Sequence, residues 1–476
     1  MSRTKIVATI GPATNTTEML VALRDAGMDI VRLNGSHADL DWHAATIALV
    51  RETIPEIPIL LDIPGRKIRT VMLAHEPKFE VGDTITLTTD LNHDGTHKVP
   101  VNFTGLPDAV TPGQIILADD GTLSFTVIEV DGGDVLCRAE ARGTLRSRKG
   151  INVPGIAFHT PLVTDRDREM IEFARANEVD FVGISFVESA EHVEAIRAQI
   201  DATVPRIVSK IENWRGVENM AAVIAATDAV MIDRGDLSVE TTYEMVSLYQ
   251  KQILEFAAAA DKPVIVATEM LHSMIEHAHP TKAEISDITN AVLDRCAATM
   301  LSGETAIGAY AVGAVSVMRK IADAAIQYQE EREKASQPFR ADGAPVPEVV
   351  GQAIALICRN LPITKIVVVT RSGYAARTVA AGRPYQPIIA VTDDPRVVRS
   401  FAIYPGTRGV LVDVPFSKTS TDHIVTCLEQ LWHKAELVED DMILVTAVGY
   451  PRSGNRMNLI QTHRVSDLIE TLGWRR

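Results

Sequence analysis

Eight short runs rich in Val and Ile, separated by amphipathic stretches of helix length, dominate the first two thirds of the chain. Buried parallel strands read as continuous apolar runs, and helices usually connect them. The runs are residues 6–10, 29–33, 57–63, 181–186, 206–211, 229–232, 263–267 and 298–301. Eight such units predict an α/β fold built on a closed (β/α)8, or TIM, barrel. In that fold the catalytic groups follow the C-terminal ends of the strands.

Residues 69–152 interrupt this alternation between the third and fourth runs. They contain polar and apolar residues in alternation and turn dipeptides such as Gly132-Gly133, which are typical of short antiparallel strands. We predict a small β-barrel domain inserted after a barrel strand, where it would project over the active-site face as a lid. A passive insertion is the alternative.

A third region begins after a polar segment that contains Pro and Gly, residues 334–347, which is typical of a linker. Apolar runs resume at residues 365–370, 387–391, 409–412 and 442–446. This pattern predicts an open, doubly wound α/β domain. The expected domains are 1–68 and 153–335 for the barrel, 69–152 for the insertion and 336–476 for the C-terminal domain.

The formal net charge of −15 argues against nucleic acid or an anionic membrane as a partner, because both attract an excess of Lys and Arg. An anionic substrate would therefore need locally concentrated positive charge. Cys137, Cys296, Cys358 and Cys427 form no CxxC pair, which indicates free thiols in a reducing compartment. With no signal-peptide core and no long apolar run, we predict a cytoplasmic protein.

A lysine and two carboxylates follow the fifth and sixth runs. Side chains repeat every two residues along a strand, so Lys210 and Glu212 point to the same side. Asp236 follows the sixth run after Gly235, which permits a sharp turn. Glu212 and Asp236 on neighbouring strands would offer oxygen ligands to one Mg2+ or Mn2+. A barrel-interior ion pair is the alternative for Lys210 with Glu212.

Cationic and hydroxyl side chains follow the remaining runs. Arg32 suits a phosphate, because a planar guanidinium donates two parallel hydrogen bonds. The other polar residues at this predicted rim include Asn34, Ser36, Lys67, Arg69, Thr268 and Ser302. The four cations of the rim and a divalent metal would supply the positive field that the whole chain lacks. That arrangement is typical of phosphoryl transfer, in which charge spreads over three equatorial oxygens.

Several of these segments resemble the pyruvate kinase family. They are TKIVATIGPA (4–13), RLNGSH (32–37), KGINVPG (149–155), SKIEN (209–213), RGDL (234–237), PTKAE (280–284), NAVLD (290–294) and MLSGETA (300–306). A series that matches in order is far more specific than any one motif. The resemblance implies phosphoryl transfer from phosphoenolpyruvate to ADP, the last step of glycolysis, with Mg2+ or Mn2+ held by Glu212 and Asp236.

The resemblance also implies a role for each rim residue. The substrate and its phosphoryl group would be bound, and the enolate protonated, by Arg32, Lys210, Gly235, Asp236, Thr268 and Ser302. The nucleotide would be bound by Arg69 and by Lys149 at the base of the lid.

One departure from the family pattern bears on a monovalent cation. Relatives bind K+ with the residues that match Asn34, Ser36, Asp62 and Ile63, and most carry an acidic residue where this chain has Lys67. A lysine there would put a tethered ammonium near the K+ position. We therefore predict activity without K+, so that these four positions need not bind the ion.

Residues 370–377 resemble the family's effector phosphate loop, a strand-to-helix turn whose amides favour anions. The implied contacts are Thr370, Ser372, Gly373 and Tyr374, and the implied allosteric effector is a sugar phosphate or a nucleotide monophosphate. A plain turn that has no ligand is the alternative. The family resemblance further implies a homotetramer.

Two other functions compete with this interpretation. A barrel lyase or aldolase acting on pyruvate-like enolates would also need a metal, an arginine and a lysine, but the lid with Arg69 and Lys149 argues against it. An inert relative kept as an effector-binding or scaffold protein would not need Arg32, Lys210 and Glu212, which are all present.

Overall fold

The computed structural model describes residues 3–119, 121–155, 161–200, 202–333, 346–417, 420–448 and 457–475. The predicted linker, residues 334–347, lies almost entirely outside these ranges. No helix in the described ranges is both long enough and apolar enough to cross a membrane. All four cysteines are buried, and none is disulfide-bonded.

The chain begins with two βα units and a third strand. These elements are β1 (Lys5–Thr9), α1 (Thr17–Ala26), β2 (Ile30–Asn34), α2 (Leu40–Thr53) and β3 (Ile59–Ile63). Helix α1 begins where the Thr16 side chain accepts from the Met19 N–H, and it ends at Gly27, whose φ of 116° favours glycine. Every residue of β1 and β3 is buried, as expected for strands covered on both faces.

Short strands then form the inserted domain. They are β4 (Ile68–Arg69), β5 (Lys78–Phe79), β6 (Thr84–Thr88), β7 (Val99–Pro100), β8 (Ile115–Ala118), β9 (Leu123–Asp131), β10 (Asp134–Ala139), β11 (Gly143–Thr144) and β12 (Gly150–Asn152), with helix α3 (Leu106–Ala109) between β7 and β8. The main sheet has the order β4-β12-β8-β9-β10-β6-β7, and a bridge from Thr70 to Val101 joins its two edges. The insertion is therefore a small, barrel-like β-domain.

The chain returns to the barrel with α4 (Asp165–Ala176), β13 (Phe181–Ile184), α5 (Ala190–Ile200), β14 (Arg206–Ile211), α6 (Trp214–Glu218), α7 (Met220–Ala226), β15 (Ala229–Asp233), α8 (Arg234–Glu240), α9 (Tyr243–Ala259), β16 (Val264–Ala267), α10 (Lys282–Leu293), β17 (Ala298–Leu301), α11 (Gly303–Ala306) and α12 (Ala311–Glu333). The strands close in the order β1-β17-β16-β15-β14-β13-β3-β2. This closure confirms the predicted barrel fold.

The C-terminal domain contains α13 (Val346–Asn360), β18 (Lys365–Val369), α14 (Tyr374–Ala381), β19 (Ile388–Thr392), β20 (Thr407–Leu411), α15 (Asp422–His433), β21 (Met442–Ala447), β22 (Leu459–Arg464) and α16 (Val465–Leu472). Its open sheet has the order β20-β19-β18-β21-β22. The sequence interpretation named only four strands here and missed β22. That strand pairs antiparallel at the sheet edge, and no residue of it is fully buried, so it carries no apolar run.

The C-terminal domain packs against the N-terminal ends of the barrel strands. Arg206, the first residue of β14, donates to the Ser372 carbonyl at 2.6 Å and to Ser400 Oγ at 2.8 Å. Lys5, the first residue of β1, donates to the Thr407 carbonyl at 3.1 Å. The inserted domain lies at the opposite end of the barrel.

Candidate active site

A cleft of about 580 Å³ opens at the C-terminal ends of the barrel strands, beside the base of the inserted domain. The predicted residues that line it are Arg32, Asn34, Ser36, Lys67, Arg69, Lys149, Lys210, Gly235, Asp236, Thr268 and Ser302. Asp62, Ile63 and Glu212 do not line the cleft; they are buried. The predicted effector residues lie elsewhere, from the end of β18 to the first residue of α14.

The Lys210 ammonium is the centre of a buried ion network. Its Nζ lies 2.9 Å from Glu212 Oε2, 3.0 Å from Asp233 Oδ2 and 3.8 Å from Asp62 Oδ2. Burial alone would lower the pKa of Lys210, but the three carboxylates outweigh burial and raise that pKa above its ordinary value. The side chain therefore stays cationic.

Arg32 is held by Asp62. Its Nε and Nη2 both donate to Asp62 Oδ2, at 2.9 and 2.6 Å, and its Nη1 donates to Thr9 Oγ1 at 3.1 Å. Gly183 makes room for the carboxylate, because a Cβ there would lie 2.1 Å from Asp62 Oδ1. Burial opposes the charge of Arg32, yet Asp62 raises the pKa of the guanidinium overall. Asp62, predicted as part of a K+ group, thus serves as the counter-ion of two buried cations.

Three carboxylates form an acidic group, with Asp233 and Asp236 lining the cleft and Glu212 buried next to them. Oxygens of Glu212, Asp233 and Asp236 lie within 4.8 Å of one another. Burial raises the pKa of Glu212 to about 8, and repulsion from the two aspartates adds to the rise against the opposing Lys210. Such a group of hard oxygens fits a divalent cation, which would relieve their mutual repulsion.

Asp233 was given no role from the sequence. It lies two residues after Met231, whose side chain packs inside the barrel, so strand alternation points Asp233 into the barrel mouth. Burial would raise the pKa of this carboxyl, but Lys210 outweighs burial and holds it at about 2. The alternation from Met231 is the signal that would have identified Asp233.

Lys67 reaches the acidic group from the turn between β3 and β4. Its Nζ forms an ion pair with Asp236 Oδ1 and lies 5.2 Å from the centre of the Phe186 ring. A Cβ on Gly150 would lie 2.6 Å from Lys67 Cε, so the absence of a side chain at Gly150 leaves space for the lysine side chain. The sequence hypothesis put this ammonium near the predicted K+ group, whereas in the structure it contacts Asp236.

Backbone and hydroxyl groups meet beside the acidic residues. The Gly235 N–H donates to Thr268 Oγ1 at 2.8 Å, and the Thr268 hydroxyl donates to the Ala267 carbonyl at 2.6 Å. Arg234 donates to the Thr268 carbonyl at 2.7 Å, and the backbone of Thr268 has a φ of 67°. The Ser302 hydroxyl is buried and has no hydrogen-bond partner within the described ranges.

The two predicted nucleotide-binding residues lie at the base of the inserted domain. Arg69, on β4, pairs with Gly150, on β12, which places Arg69 next to Lys149. Lys149 Nζ forms an ion pair with Asp119 at 2.5 Å, and Arg69 donates to the Arg148 carbonyl at 3.2 Å. Both cations face the cleft at its outer edge.

Comparisons with known proteins match both the barrel and the C-terminal domain. Residues 1–315 match the family model of the pyruvate kinase barrel domain, and residues 348–463 match that of the pyruvate kinase alpha/beta domain. A pyruvate kinase from Geobacillus stearothermophilus is 36% identical over 477 residues, which cover 98% of this chain and 81% of the relative. One from Mycobacterium intracellulare is 35% identical, covering 98% of this chain and 99% of the relative. The solved structure of a pyruvate kinase from Cryptosporidium parvum superposes with a TM-score of 0.83 at 32% identity, covering 98% of this chain and 96% of that one.

Proposed function

The chain belongs to the pyruvate kinase family, and from this premise we propose that it transfers the phosphoryl group of phosphoenolpyruvate to ADP at the barrel mouth. One observation carries the proposal: two buried cations, Arg32 and Lys210, share the counter-ion Asp62 beside a trio of carboxylates. Cations and a metal-binding group on one rim are the parts that phosphoryl transfer requires.

Glu212 and Asp236 are proposed as the ligands of the divalent metal that the family requires, which we infer to be Mg2+ or Mn2+. The spacing of their oxygens within 4.8 Å, together with those of Asp233, supports this assignment. When bound, such an ion withdraws charge from the phosphoryl oxygens and leaves its other positions to substrate and water.

The chain's own cations neutralise the phosphoryl group as it moves. The Arg32 guanidinium and the Lys210 ammonium are held in place by carboxylates, so little reorganisation is needed when charge develops on the equatorial oxygens. Arg69 and Lys149 are proposed to bind the diphosphate of ADP from the lid side. Their place at the outer edge of the cleft supports that role.

The substrate carboxylate is proposed to bind the Gly235 and Asp236 amides and the Thr268 hydroxyl. Because the Gly235 amide now donates to Thr268, binding would exchange that hydrogen bond for one to the carboxylate. The enolate left after transfer must be protonated on carbon. The Thr268 and Ser302 hydroxyls are the proposed relay, supported by the buried Ser302 Oγ that has no partner among the described residues.

We further propose regulation through the loop of Thr370, Ser372, Gly373 and Tyr374, and a homotetrameric assembly. The Thr370 hydroxyl accepts from the Gly373 N–H at 3.1 Å, and the Gly373 φ of 86° turns the chain into α14. Light scattering on the purified enzyme would give the oligomeric state directly.

Turnover measured with a lactate-dehydrogenase-coupled assay tests the function. We expect pyruvate formation that requires phosphoenolpyruvate, ADP and a divalent metal together. Release of pyruvate without ADP would instead favour a phosphatase, which transfers the phosphoryl group to water. The absence of turnover with all three present, including candidate effectors, would contradict the proposal.

We propose that Lys67 allows the enzyme to work without K+. Three cations of the cleft form ion pairs with four carboxylates: Arg32, Lys67 and Lys210 with Asp62, Glu212, Asp233 and Asp236. Replacing Lys67 with Glu reverses one charge beside Asp236. Because charges in direct contact interact strongly, we expect the activity of the variant without K+ to be on the order of 100-fold lower than that of the unmodified enzyme. Added K+ should restore part of this activity.

The assay would compare potassium-free and potassium-containing buffers. Lys98→Glu is a matched control, because Lys98 also pairs with an aspartate, Asp134, but lies in the inserted domain away from the cleft. Strong activation of the unmodified enzyme by K+, or a K67E variant indifferent to K+, would contradict the role given to Lys67.

A further inference from the structure

A second cavity, of about 380 Å³, lies between the barrel and the C-terminal domain. Its barrel wall comes from the end of α9 and from the turns that precede β16 and β17. Its other wall comes from α14 and from the turn at Tyr404 and Pro405. The cavity is therefore at the opposite end of the barrel from the active-site cleft.

Cations outnumber carboxylates around this cavity. The charged lining residues are Lys251, Lys262, Arg295, Arg377 and Arg383 with Glu255, Asp261 and Asp294. The local excess of positive charge contrasts with the −15 of the whole chain. A field of this sign attracts an anion.

Two of these cations contact uncharged groups: Lys262 Nζ donates to the Thr227 carbonyl, and the Arg377 guanidinium lies 5.4 Å from the centre of the Tyr374 ring. Lys251 pairs with Asp294 at 2.6 Å, but Arg377 Nε is buried without a hydrogen-bond partner among the described residues. Burial and the neighbouring Arg377 lower the pKa of Lys262 to about 8, since Asp228 and Asp261 offset only part of that effect. Lys262 and Arg377 thus form a cationic pair, one from each domain.

Apolar groups complete the walls. Leu254, Pro263, Ala380 and the buried Tyr404 line the same space. A cavity with a few convergent charges and apolar walls is the usual form of a small-molecule site, and this volume falls in the usual range. We propose that it binds a small phosphorylated metabolite, with the phosphate between Lys262 and Arg377 and the organic part against Tyr404.

This cavity adjoins the predicted effector segment, whose last residue is Arg377, but none of the four implied effector contacts lines it. Those contacts end at Tyr374, the first residue of α14, whereas the cavity is lined by Arg377, Ala380 and Ala381, farther along the same helix. Because one wall belongs to each domain, a bound ligand would favour the arrangement of domains in which both walls meet it.

Isothermal titration calorimetry on the intact enzyme tests the proposal without relying on catalysis. Inorganic phosphate, ribose 5-phosphate and adenosine monophosphate serve as probes, so that the contributions of phosphate, sugar and base can be separated. We expect at least one phosphate ester to bind, and its affinity to fall at least about tenfold in K262Q/R377Q, which lacks two charge-assisted contacts.

Two further variants keep the test decisive. Ala258→Glu introduces a carboxylate at an exposed lining position without removing a buried contact, and it should weaken binding even if the double variant folds poorly. Ser372→Glu should abolish binding of these probes at the effector loop and leave their binding in the cavity unchanged. Absence of binding by every probe, equal affinity in the cavity variants, or loss of binding in S372E alone would overturn the proposal.

Discussion

Replacing Lys210 with Met should lower kcat by about 1,000-fold or more. Methionine keeps most of the volume of the lysine side chain but removes the charge that lies 2.9 to 3.0 Å from Glu212 and Asp233. The loss removes about 4 kcal/mol or more of transition-state stabilisation, which is typical when a preorganised charge is deleted. The enzyme should still bind ADP, because Arg69 and Lys149 are untouched.

Lys365→Met is the matched control for this variant. Lys365 also pairs with an aspartate, Asp441, at 2.6 Å, but it lies in the C-terminal domain. We expect nearly unchanged kcat in K365M. Steady-state turnover and thermal unfolding of both variants would be measured together, and a folded K210M enzyme that keeps a tenth of the original kcat would refute the role of Lys210.

Replacing Glu212 with Gln should weaken divalent-metal binding by about 100-fold, with a similar loss in kcat/KM. Glutamine can still accept the Phe186 N–H, which bonds Glu212 Oε1 at 2.8 Å, so the local fold should survive. The carboxylate that would bind the metal is lost. Electron paramagnetic resonance of free Mn2+ would measure the affinity without substrates.

Glu240→Gln gives the corresponding control. Glu240 is a nearby acid whose pKa is raised by burial to about 7, but it accepts from Asn152 and stands outside the trio. Its replacement should leave Mn2+ affinity nearly unchanged. Equal Mn2+ affinities in E212Q and the unmodified enzyme, or equal weakening in both variants, would exclude Glu212 as the main ligand.

The barrel could be predicted because its strands are buried on both faces. Each of them lies within two residues of an apolar run, and Lys210 with Glu212 followed from strand alternation alone. Edge strand β22 could not be found in this way, because a strand with one neighbour and an exposed side needs no continuous apolar run.

The pairing of the site's charges could not be predicted from position along the chain. Asp62 contacts both Arg32 and Lys210 because three strands bring their ends together, and Gly183 on a fourth strand leaves the space for it. Lys67 reaches Asp236 only because the turn after β3 folds across the mouth beside Gly150. Such contacts depend on side-chain direction in three dimensions, which a linear pattern does not contain.

Strand β14 restricts how the two ends of the barrel can move relative to each other. Arg206 at its start is bonded to the Ser372 carbonyl, and Lys210 near its end lies about 13 Å away by strand geometry. Hydrogen bonds to β13 and β15 on both sides prevent the strand from stretching or sliding alone. A displacement of Ser372 that keeps its bond to Arg206 must therefore be taken up by the Arg206 side chain or by β14 together with its neighbouring strands. The loop and the Lys210 ammonium are thus connected through one rigid sheet.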